Sequence, residues 1–192
     1  MVLQSIRRRR RPWRFWRIVR SYLVATMNIL TINLLFSTLV FWMAARIYVL
    51  PRLSAWGPER VLVPILLLHA FRHLGLMFLA PGAVYQGLPA AFARPAAVGD
   101  LIAAVLALVS LVLLQRRHWA SRLVIWLFNV EGTLDLLLAT TLATVNRAAP
   151  YMGPAYWIPA FWVPALLVTH YITFVVLRKH WPRPAGRSGR AD

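Results

Sequence analysis

The chain has 192 residues, of which 60% are hydrophobic and only 14% charged, and its mean hydropathy is +0.61. An average soluble domain is roughly 45–50% apolar and about 25% charged, so a soluble fold of this size has nowhere to hide so much apolar surface. The net charge of +17 sits mostly in two tails, the run at 7–11 with Arg14, Arg17 and Arg20, and Arg178, Lys179, Arg183, Arg187 and Arg190. Basic tails on an apolar body suit anionic lipid headgroups, at about 1 kcal/mol per Lys or Arg near the surface, rather than nucleic acid. Cysteine is absent, which removes disulfides, thiolate-held clusters and thiol nucleophiles.

Residues 1–21 are too basic to cross a bilayer. Trp13, Phe15, Trp16, Ile18 and Val19 interleave with Arg14, Arg17 and Arg20, a mixture suited to an interfacial or disordered tail. A helix needs about 20 apolar residues to span the hydrocarbon layer, and five stretches qualify, at 22–45, 61–80, 95–114, 123–145 and 156–177. Pro51, Gly57 and Pro58 mark the first break, Pro81, Gly82, Gly87 and Pro89 the second, residues 115–122 the third, and Pro150, Gly153 and Pro154 the fourth. The runs are continuously apolar, where barrel strands would alternate over about ten residues. The expected fold is therefore an all-α, polytopic transmembrane helical bundle of about five spans within 22–178, followed by a basic disordered tail at 179–192. Trp42, Trp56, Trp119, Trp126, Trp157, Trp162 and Trp181 lie mostly near the expected helix ends, as aromatic belts do.

Short loops with Arg116, Arg117 and Arg122, and with Arg46, Arg52 and Arg60, share a side with the C-terminus. The positive-inside rule therefore predicts a cytoplasmic C-terminus. The Arg-rich N-terminal tail argues the opposite, and the two are reconciled if translation starts at Met27.

Ionisable groups inside the apolar runs carry most information, because a central Arg or Asp costs about 2.5–3.5 kcal/mol on insertion scales. The second span holds His69, Arg72 and His73, placed on one face by α-helical spacing. The fourth holds Glu131 and Asp135, four apart on one face, with Asn129 pointing elsewhere. The fifth holds His170, with Thr173 beside it. Turning these faces together gives Arg72 either Asp135 or Glu131 as a partner. Such a cluster reads as a structural ion pair with satisfied histidines, in a scaffold-like membrane protein. It also reads as a proton or small-solute relay, since His titrates near neutral pH. A third reading is a Zn, Fe or haem site on His69, His73 and His170, or an enzyme acting on a lipid-like substrate, since imidazole and carboxylate are the ligands such metals take. The HAFRH sequence lacks the Glu of a zincin helix. Ala103 with Ala107 and Ala139 with Ala143 permit close helix approach and leave a homo-oligomer open.

The runs HAFRHLGLMFLAPG at 69–82, the Gly99–Asp100 pair, WLFNVEGTLDL at 126–136 and YWIPAFWVPALLVTHYITFVVL at 156–177 resemble uncharacterised bacterial multi-pass membrane proteins. That resemblance implies a bacterial inner-membrane address with no assigned chemistry, and its polar positions fall on His69, Arg72, His73, Asn129, Asp135 and His170.

Overall fold

A computed structural model describes residues 29–181. The expectations for the N-terminal tail, the start of the first span and residues 182–192 lie outside the described residues. Within them there are five helices long and apolar enough to cross a membrane, α1 Ile29–Arg52, α2 Pro58–Leu79, α3 Ala90–Gln115, α4 Ser121–Val145 and α5 Gly153–His180, and no strand.

The helix ends differ from the sequence expectation where prolines or basic residues were read as breaks. Helix α1 runs through Pro51 to Arg52. A proline lacks the N–H that would bond the carbonyl four residues back. Here the Arg52 guanidinium fills the gap, donating to the carbonyls of Ile47 at 3.3 Å and Tyr48 at 2.7 Å. Pro95 lies inside α3 rather than at its start. Arg178, Lys179 and His180 form the last turn of α5, so the C-terminal tail begins later than 179.

Helix α3 packs against both α2 and α4, while α1 leans mainly on α5, through Phe41 against Phe161 and Trp42 against Tyr171. The outer faces carry large exposed apolar side chains such as Leu35, Phe36, Leu39, Leu127, Leu134 and Leu138. Contiguous apolar exposure on this scale marks a surface meant for a partner or a membrane. Ala103 and Ala107 are fully buried within the chain, so this small-residue pair is used in intramolecular packing. At one end of the bundle the loop after α2 is tied to the loop after α4 and to the start of α5: Tyr85 donates its N–H to Tyr151 O and Ala155 to Ala83 O. Gly153 sits beside them with φ +49°, a left-handed conformation that glycine adopts without strain. At the other end, Arg122 donates to Leu177 O.

The feature that positions the site is a change of helix type. Helix α2 is α-helical to Ala70 and then continues as a 3₁₀ helix, Phe71–Leu79. Nine residues is long for this form, which rarely exceeds three or four. With three residues per turn, Arg72, Gly75 and Phe78 line up below His69, and all four are buried.

Candidate functional site

Arg72 lies near the middle of the bundle with 1% of its surface exposed. Its three nitrogens each find an acceptor. Nε donates to Asp100 Oδ1 of α3 at 2.8 Å, one terminal nitrogen to Asp135 Oδ2 of α4 at 2.5 Å, and the other to the Gly132 carbonyl of α4 at 3.2 Å. A guanidinium's fixed fork of donors suits such a three-sided clasp better than an ammonium would.

Three glycines make room for it. A Cβ at Gly75 would collide with Asp100, one at Gly99 with Asp135, and one at Gly132 with both Arg72 and His170. The backbones of α2, α3 and α4 therefore approach the ion cluster as closely as hydrogen permits.

A second polar layer joins α2, α4 and α5. Asn129 and His170 bond reciprocally: the Asn129 amide donates to the His170 carbonyl at 3.3 Å, and its oxygen faces His170 Nδ1 at 2.7 Å. That carbonyl needs a donor, so the Asn129 oxygen must accept, and His170 carries its proton on Nδ1. Thr169 Oγ1 donates to the backbone carbonyls of Ala165 and Leu166. Its oxygen thus accepts from His69 Nε2 at 2.9 Å. Both histidines are left with a buried, unpartnered ring nitrogen, Nδ1 of His69 and Nε2 of His170. Their ring centroids are 4.3 Å apart, with Phe128 against both.

The structure brings His69, Arg72, Asn129, Asp135 and His170 into this region. Glu131 is half-buried and unpaired, its Oε2 enclosed without a partner, within electrostatic reach of Arg72 and Asp100. His73 does not join. It is exposed, with Nδ1 against its own helix at the Ala70 carbonyl. The expectation that His69, Arg72 and His73 share a face rested on about 100° per residue. In the 3₁₀ segment the step is near 120°, which keeps Arg72 below His69 and carries His73 outward. The His69, His73, His170 set for a metal or haem is therefore not assembled, and among the described residues no three His, Asp or Glu side chains are placed to hold a metal ion.

Asp100 is the residue of the clasp to which helical spacing of polar positions did not point. Its signal was available, since Gly99–Asp100 falls in the middle of a 26-residue apolar helix, where a carboxylate is costly without a partner.

The chain matches the family model described as Domain of unknown function (DUF8737) over residues 29–178. It belongs to that family, and the match takes in all five helices and every residue of the clasp. Searches of curated proteins and of solved structures give no match.

Proposed function

We propose that this family member is a small multi-pass membrane protein whose Arg72 centre exchanges protons, acting as a proton relay or as the proton-binding part of a small-solute carrier. The observation that carries this reading is a charge count. Three of the chain's five acidic residues, Asp100, Glu131 and Asp135, surround one guanidinium, and two of them contact it directly. A purely architectural pair needs one carboxylate per arginine. With three ionised, the centre would hold an excess of negative charge where water is scarce, and isolated charges are strongly penalised there. Protons restore the balance. The test is proton flux into liposomes holding the full chain. Flux in the parent chain, reduced in Glu131→Gln and Asp135→Asn, supports the reading. Equal flux in protein-free liposomes refutes it.

A structural role is the second reading, favoured by the acceptor found at each nitrogen of Arg72 and by the three glycines. Under it the clasp fixes α2, α3 and α4, and the neutralised cluster performs no transport. We place the protein in a bacterial inner membrane, with the C-terminus cytoplasmic and the basic ends against anionic headgroups. Among the described residues, Arg46, Arg52, Arg60, Arg116, Arg117, Arg122, Arg178 and Lys179 gather at one end of the bundle, against Arg94 and Arg147 at the other, and the positive-inside rule, which counts short loops, orients such an asymmetry.

A further inference from the structure

Beside the clasp lies a cavity of about 350 Å³ between α1, α3, α4 and α5, walled by apolar side chains including Leu30, Phe92, Leu136 and Ile158, with Asp100 as its one ionisable lining residue. Its size falls within the range of ligand pockets, roughly 300–1,000 Å³. Two of its hydroxyls, Thr140 and Thr144, donate their hydrogens to the Leu136 and Thr140 carbonyls. They present only lone pairs to the cavity. Of the lining residues, Leu35 of α1 and Thr144 of α4 are exposed, so the cavity opens on the outer side of the bundle between these helices. Its outer wall includes Leu30, Leu34 and Leu35 of α1, the helix with the least buried span.

An apolar chamber that opens sideways selects an alkyl chain, the acceptor hydroxyls of Thr140 and Thr144 select a donor, and Asp100, one of three carboxylates around a single guanidinium, selects a cation. We infer that the cavity takes a single-chain amphiphile with a primary-ammonium head, entering between α1 and α4 and setting its head against Asp100. This names a ligand class for the same centre, and it rests on the charge count above.

The test uses the full chain in nanodiscs of zwitterionic lipid and tetradecylammonium carrying a photoreactive group, with tetradecanol as competitor. Saturable labelling of α1 and α4 is expected, with tetradecanol competing at least about tenfold more weakly, as loss of a charge-assisted hydrogen bond implies. Ala139→Phe fills the cavity and should abolish saturable labelling, while Leu127→Phe on the exposed face of α4 should not. Labelling that never saturates, that survives Ala139→Phe, or that tetradecanol displaces equally well overturns the inference. Proton flux measured on the same parent chain separates the two claims. Flux without saturable labelling overturns the ligand alone, and saturable labelling without flux supports the ligand and overturns proton exchange alone.

Discussion

Replacing Arg72 with Met removes the one cation of the clasp and leaves Asp100 and Asp135, both of which contact it, without a counter-charge. Breaking a buried pair costs about 3–5 kcal/mol, because the partner's charge is left uncompensated. For a chain of this length that corresponds to a melting-point drop on the order of 10 °C. Asp135→Leu should cost less, since Asp100 and the Gly132 carbonyl still hold the guanidinium. The Arg72→Met, Asp135→Leu double variant should recover only part of the loss, because Asp100 stays stranded. Adding Asp100→Asn should recover more. Thermal unfolding in detergent measures the series. Contacting residues in one ionic network couple by about 0.5–3 kcal/mol, so losses that add to within about 0.5 kcal/mol would refute the three-way clasp.

Gly99→Ala, whose new methyl would collide with Asp135, should destabilise by about 1–3 kcal/mol, as overpacking does. Gly57→Ala, with nothing nearby, should stay within about 0.5 kcal/mol; equal effects on chemical unfolding would argue against the close approach. His170→Phe should cost about 1–3 kcal/mol by leaving the Asn129 oxygen unsatisfied. His73→Ala should be near neutral, and a larger loss for His73 in the same unfolding assay would contradict the 3₁₀ register. A C-terminal reporter that is active only outside the cytoplasm should be silent, and activity there would reverse the orientation.

The spans were legible because twenty-residue apolar runs admit few other readings. Their ends were less so. Pro51 was read as a breaker, but an arginine one residue later supplies the missing donor, and no periodicity announces that. The polar faces of α4 and α5 followed from α-helical spacing. The face of α2 did not, because the change to three residues per turn at Phe71 leaves no mark in composition. It decides that Arg72 enters the bundle while His73 leaves it. Asp100 went unrecognised as a partner because one carboxylate among alanines shows no spacing pattern. Its role appears once Gly75 and Gly99 are seen to clear space for the two aspartates. Asn129 was expected to point away from Asp135, and the structure shows what lies on that other side, namely His170.

The central claim is that one guanidinium among three carboxylates leaves protons bound at the centre. Infrared difference spectroscopy of the full chain at neutral pH tests it most directly, since a carboxylic-acid C=O stretch reports a protonated carboxyl and shifts on deuteration. Glu59, the other described acidic residue, is exposed and beside Arg117, away from the centre. The account predicts a band that weakens in Glu131→Gln and Asp135→Asn; a spectrum holding only carboxylate bands would contradict it.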